Sequence, residues 1–454
     1  MPVTFLGRAS IALAALVTFV CTSLLQAQHQ QPPTRRDSSA SEMAGPLGIS
    51  MDRLGSGTTW IPDGVTLPSR HLMLRDWRLM LHGFVFGQYN RQNGPRGGEQ
   101  VGSLNWAMLM ADHPLGGGRI QFRTMLSLDP ATVGRCGYPL LLQSGETCHG
   151  QPLVDRQHPH DFWMELGALY ERELSSKLAL SLYAAPAGEP ALSPVAFMHR
   201  PSAMDDPTAP LGHHWIDATH ISYGVVTAGV FTRHVKLEGS AFNGREPDEH
   251  RWNFDPIRLD SYSGRVTVNP NANWSFTAGY GVLKEPEPDD AGHVLRRLTA
   301  SALYGRALGM DGQWSAALIY GRNTHPGDRA SAAVLAEAEA IVDASNTVFA
   351  RAELVQKTGE ELALASVDPE RQFNVGMLGI GYVRELLEPY HGATLGLGVR
   401  GNVGLVPRAL ETTYGSRNPA GVMIFLRLRP KHLGPGSSME HEGAEGHQHM
   451  ERQP

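Results

Sequence analysis

The chain has 454 residues, a formal charge of −6 and a mean hydropathy of −0.24. That acidic balance argues against nucleic acid as a partner, because phosphate backbones are held by basic surfaces. After residue 25 no stretch approaches the ~18 uninterrupted apolar residues of a spanning helix. That argues against a helical membrane protein once the first residues are set aside, but not against a strand-built one, because barrels hide their hydrophobicity in alternation.

In chain order, Arg8 is followed by an apolar run over 11–25 and then Gln26-Ala27-Gln28, which reads as a secretory signal, 1–27. Val20 before Cys21 is too large for a lipoprotein cleavage site. Residues 28–77 read as a flexible leader and a periplasmic or plug segment, with Trp60 and Pro62 packing in the barrel or closing its floor. Strand candidates follow at 78–90, 101–112 and 119–128. A long loop, 129–161, leads to a hairpin whose arms begin at Phe162 and Leu178 about the polar break 174–177. In its first arm Phe162, Met164, Leu166, Ala168 and Tyr170 form the apolar set and Trp163, Glu165, Gly167, Leu169 and Glu171 the mixed set.

After the loop 186–216, strands at 217–226 and 230–242 part at Thr227-Ala228-Gly229. The next pair, 259–268 and 274–283, turns at Asn269-Pro270-Asn271-Ala272-Asn273. Further pairs lie at 295–306 with 313–322 and 331–342 with 347–357, then single strands at 372–384, 392–403 and 421–429. The Ala and Glu content of 331–342 also allows a helix, but Glu337 and Glu339 share one strand face. The result is about sixteen strands, with fourteen and eighteen as bounds, in which long connections alternate with short ones. That alternation and the even count predict an all-β fold, a closed antiparallel transmembrane β-barrel over 78–430, in the outer membrane of a Gram-negative-type bacterium. Both termini would be periplasmic. Residues 431–454 read as a disordered tail rich in His and Glu, in which His441, His447, His449, Met439 and Met450 could bind a metal weakly.

Turning each apolar set to lipid leaves Arg123, Glu165, Lys236, Glu238, Arg265, Arg297, Glu337, Glu339, Arg351, Glu353 and Arg384 for the lumen. Trp106, Tyr170, Tyr183, Tyr262, Trp274, Tyr304 and Trp314 suit an interfacial aromatic girdle. Cys136 and Cys148, together in one loop of an exported chain, predict a disulfide.

The chemistry-bearing residues gather around the hairpin. His158, His160 and Asp161 end the loop before it, and His199, His213, His214, Asp217 and His220 lie in the loop after it. Neutral imidazoles with carboxylates suit a transition metal such as Cu or Zn at the channel mouth. A hydrolase would instead use His199 or His220 as base, Ser193, Ser202 or Ser222 as nucleophile and Asp205 or Asp217 as orienter, but no nucleophile spacing supports it.

The stretches 155–161 (DRQHPHD), 194–202 (PVAFMHRPS) and 212–220 (GHHWIDATH) resemble those of a family of uncharacterised bacterial exported proteins taken to be outer-membrane β-barrels. The resemblance covers most of the chain after the leader and implies location and fold, with no activity and no catalytic residue. The expected function is a porin-like channel for small solutes or ions, with a transition-metal site in the His-rich loops, in contact with outer-membrane lipid. The alternative is a metal-binding or metal-resistance surface protein anchored by its barrel. A barrel-embedded hydrolase is third.

Overall fold

Period-two alternation is visible strand by strand as an exchange between an apolar outside and a charged inside. The computed structural model describes residues 45–287, 292–325, 330–390 and 392–434. The expected signal peptide, the leader up to residue 44 and the tail beyond residue 434 lie outside the described residues. The strands are β1 (Ser69–Leu74), β2 (Trp77–Gln92), β3 (Gly98–Leu115), β4 (Gly118–Leu126), β5 (Tyr138–Cys148), β6 (Gln151–Gln157), β7 (Trp163–Ser175), β8 (Leu178–Gly188), β9 (Ser222–Phe231) and β10 (Val235–Phe242). They continue with β11 (Ser261–Asn271), β12 (Trp274–Lys284), β13 (Val294–Leu308), β14 (Gly312–Thr324), β15 (Ser331–Asp343), β16 (Asn346–Lys357), β17 (Phe373–Tyr390), β18 (Ala393–Leu405) and β19 (Ala420–Pro430).

All but β1, β5 and β6 belong to one antiparallel ring of sixteen strands. The ring closes where β19 pairs with β2, from Gly421 opposite Gln92 to Leu428 opposite Val85. Below that point β1 takes over the same edge of β2, from Ser69 opposite His82 to Leu74 opposite Trp77. No backbone edge is left open there, as a lipid environment requires. In β10, Val235 and Leu237 are exposed while Lys236 and Glu238 are buried. A soluble protein would invert this pattern. A charge turned outward at mid-membrane would cost about 2–4 kcal/mol, which is why the ladder register holds the charged set inside.

Turns of two or three residues, such as 116–117, 176–177, 272–273 and 309–311, gather at one end, and connections of up to 36 residues (127–162) at the other. One expected turn is displaced. Thr227-Ala228-Gly229 lies inside β9, where Thr227 bonds across to Ser240 at 2.6 Å and Gly229 lets the backbone of β10 approach. The turn is 232–234, closed by the Thr232 amide donating to the Val235 carbonyl at 2.8 Å. Residues 217–220 precede the strand as short helical turns. Residues 331–342 form a strand, not a helix, with Glu337 and Glu339 both inward.

The lumen is filled by the chain itself. Residues 45–67 lie across the short-turn end, where Trp60 is 2% exposed, edge-on to Phe231 at 5.8 Å and under the Lys236 ammonium at 5.5 Å. Lys236 also donates to the Thr58 carbonyl at 2.9 Å, and Arg265 to the Thr58 hydroxyl at 2.8 Å. At the long-loop end every residue from Ala187 to Val225 is buried, so the connection 189–221 lies within the barrel. It is clamped to the wall. Arg200 pairs with Glu337, and the Asp205 amide donates to Glu339 at 3.0 Å. Asp205 also pairs with Arg427, and Asp206 with Arg400 at 2.9 Å. The side chains expected to line a water-filled channel are therefore occupied in holding plug and loop.

Four side chains differ in orientation from the sequence reading. Arg384 is exposed and donates to Asn346 at 2.8 Å beside a short turn, so it does not line the lumen. Trp106 and Tyr183 point inward, Tyr183 donating to Glu165 at 2.7 Å, and leave the girdle. Met164, placed with the lipid-facing set, is 1% exposed and faces the interior. It is the extra residue of a bulge, since Met125 and Leu126 of β4 oppose Glu165 and Trp163, and a bulge shifts the phase of the side chains.

Candidate functional site

Two inward-folding connections build the site. The β5–β6 hairpin, stapled by the Cys136–Cys148 disulfide, hangs into the barrel and delivers His158, His160 and Asp161 at its exit. Gln143 donates to the Pro210 carbonyl at 3.0 Å, and the Ala209 amide to the Tyr138 hydroxyl at 3.0 Å, joining the hairpin to the connection 189–221, the third of the long loops. In that loop a helical turn, His213–Ile216, carries His213 and His214, and a 3-10 turn, Ala218–His220, carries His220. Arg297 at 2.6 Å and Asn323 at 3.0 Å both donate to the His214 carbonyl and fix the turn against β13 and β14.

Five imidazoles meet as a result. His213 has ring centroids of His214, His220 and His158 at 5.2, 5.1 and 5.6 Å, and His160 lies 5.6 Å from His220. His199 is apart, against Trp106 at 4.7 Å and His82 at 5.3 Å, with its Nε2 3.4 Å from the Met125 sulfur. The Nδ1 atoms share one arrangement. That of His213 faces Asp217 at 2.8 Å, that of His160 faces Asp129 at 2.8 Å, and that of His220 faces the Asp217 carbonyl at 2.8 Å. Carboxylates and carbonyls accept, so Nδ1 carries the proton and Nε2 keeps its lone pair. His158 Nδ1 has Glu146 and the Pro159 carbonyl at 3.3 Å. The Nε2 atoms of His158 and His220 are buried without a hydrogen-bond partner.

Burial pushes His158, His199 and His213 below the usual imidazole range, and His220 down to about 3. Burial would lower His214 too, but Glu246 at 3.1 Å and Glu287 at 3.5 Å outweigh it and raise His214 to about 9. Asp217 is also desolvated, yet His213 and Arg200 hold it well below the carboxylate range. Asp161 is raised by burial to about 6, although Arg251 lies 3.1 Å away. The serines of the hydrolase reading are engaged elsewhere: Ser193 bonds Thr219, Ser202 donates to Glu337 and Ser222 to the Thr219 carbonyl.

His214, Glu246 and Glu287 form the trio, among the described residues, that includes one of these histidines with ligand atoms mutually within 4.8 Å. The sequence reading missed Glu246 and Glu287. They lie in the two following long loops, and carboxylates there carry no spacing signal. Gly145, at φ +112°, lies under the His214 ring, where a Cβ would fall 2.2 Å from Nε2. A cavity of about 30 Å³ opens beside His158 and His160, and a second of about 20 Å³ beside His199 and His220. Each admits a water or a bare ion, not an organic solute.

The chain is a closed sixteen-stranded antiparallel barrel. It is similar to solved outer-membrane barrels. Outer-membrane expressed OmpT of Vibrio cholerae matches at 7% identity, over 79% of this chain and 100% of that one, with a TM-score of 0.45. The anion-selective porin from Comamonas acidovorans matches at 13%, over 78% and 99%, with 0.43. The outer membrane channel DcaP of Acinetobacter baumannii matches at 11%, over 79% and 98%, with 0.43. No protein-family model and no curated protein matches the chain. The fold itself rests on the ladder closure.

Proposed function

We propose that this outer-membrane barrel binds a transition-metal ion inside its lumen and admits metal ions in preference to organic solutes. One observation carries the reading. Imidazoles on two separate loops converge within the barrel, the Nδ1 atoms of His160, His213 and His220 fixed on carboxylates or a carbonyl and the Nε2 atoms of His158 and His220 left, among the described residues, without a hydrogen-bond partner. That is the arrangement a protein uses to present histidine to a metal. His158, His160, His213 and His220 would supply nitrogen, and His214, held protonated by Glu246 and Glu287, would join with those carboxylates once an incoming metal displaces its proton. Asp161 and Asp217 act one step back, on Arg251 and His213. His199 stands outside the cluster. The short-turn end, where both ends of the described chain emerge, is assigned to the periplasm.

The test is metal content and affinity for Zn(II) and Cu(II) of the refolded protein against a His158→Ala/His160→Ala/His214→Ala variant, with conductance in a planar bilayer. Stoichiometric binding lost in the variant is the expected result, with small conductance for organic ions. Unchanged binding, or a large nonselective conductance from the native chain, would return the protein to a general porin.

A further inference from the structure

Ten methionines are buried among the described residues, but one small group of sulfurs shares its space with polar atoms. Met125 of β4, Met164 of β7 and Met198 of the third loop border the cavity of about 20 Å³ together with His199 and His220. Glu165 and Glu189 complete its polar wall. Methionine fills irregular cores without any ligand, and Met80, Met108 and Met110 of the neighbouring strands do just that. Three observations separate this set. The bulge in β7 turns Met164 inward against the alternation of its strand. His199 aims its Nε2 at the Met125 sulfur, 3.4 Å away. The Nε2 of His220, buried at the same cavity, has no hydrogen-bond partner.

We propose that Met125, Met164, Met198, His199 and His220 form a site for a soft monovalent cation, Cu(I) or its redox-inert counterpart Ag(I). Thioethers with imidazole favour these ions over Zn(II) or Mg(II), which prefer harder donors. A buried cation also needs a counter-charge. Arg123 takes Glu165 at 3.0 Å, and Arg265 takes Glu238 at 3.0 Å while reaching Glu189 only at 4.0 Å. Glu189 is thus the carboxylate placed to balance the ion. No electron transfer is involved; the ion enters in the oxidation state in which it binds. The site shares His220 with the imidazole cluster but does not depend on metal binding at His214.

The experiment is titration of Ag(I) into the refolded protein in chloride-free buffer. Met439→Leu/Met450→Leu serves as the background so that tail sulfurs do not contribute. One tight equivalent is expected, weakened about tenfold or more by Met125→Leu/Met164→Leu/Met198→Leu and retained in His158→Ala/His160→Ala/His214→Ala. Affinity unchanged in the methionine variant overturns the proposal, and so does affinity lost only in the histidine variant. Should the leucine variant fail to fold, X-ray absorption of the Ag(I)-loaded parent decides. In protein produced without residues 1–27, and so without Cys21, and with Cys136 and Cys148 joined in a disulfide, sulfur in the metal shell means thioether, and a shell of nitrogen and oxygen alone refutes the site.

Discussion

Burial fails to neutralise His214, because Glu246 and Glu287 converge on its Nδ1. Its folded value, about 9, lies above the ordinary 6.5. A raised pKa means that the pair stabilises the folded loops fully below 6.5 and that this contribution is lost as the pH climbs through about 9. The thermal midpoint of the native protein should therefore fall between these pH values more steeply than that of Glu246→Gln, in which the main partner charge is gone. Parallel pH profiles for the two proteins would remove the pair from the account. Sequence reasoning reached His214 because the histidines crowd into 158–160 and 199–220. It could not reach Glu246, which meets His214 only once the connection 243–260 has folded over 189–221. Met164 was misdirected for a similar reason, since strict alternation has no signal for a bulge.

At the scale of elements, the decisive contact is between the third loop and the wall. Glu337 of β15 holds Arg200 of the loop, accepts from Ser202 at 2.9 Å and pairs with Arg351 of β16 at 2.9 Å. Glu337→Gln leaves two buried guanidiniums short of an anion, and breaking a buried pair in this way costs about 3–5 kcal/mol. The loop, rather than the barrel, should yield. Its backbone carries helical turns and loop hydrogen bonds in place of a closed ladder. Chymotrypsin should then cut after Phe197 or Trp215, both buried in the native loop, in the folded variant, and single-channel conductance should rise. Protection equal to that of the native chain would show that Glu337 is not the clamp. Strand positions were legible because each strand writes its own alternation, and most ends fall within a few residues of those expected. The folding of a loop into the lumen is written in no periodicity. Its trace was the run of charges on the inner faces, read as the lining of a channel although each awaited a partner from the loop.

The whole molecule is turned inside out relative to a soluble protein, and its aromatic residues record where the membrane surface would cross it. Trp274, Phe276, Tyr304 and Trp314 form a continuous row near the short-turn end, with ring centroids 4.8–5.4 Å apart. Trp274 is 36% exposed on the outer face. Amphipathic rings at such a boundary keep their bodies in hydrocarbon and their polar edges toward water. By contrast, Trp60, Trp106 and Trp215 are buried within the lumen. Refolding into bilayers carrying bromine on the acyl chain close to the headgroup should quench Trp274 and Trp314, and bromine near the chain terminus should quench them less. The lumen tryptophans should be indifferent to both, which single-tryptophan variants can resolve. Equal quenching of Trp274 and Trp60 would mean either that the ring is not closed around the plug or that the row does not face lipid. Because closure of the ladder from β19 onto β2 is what separates the two sets, this measurement tests the barrel as a whole rather than any one strand.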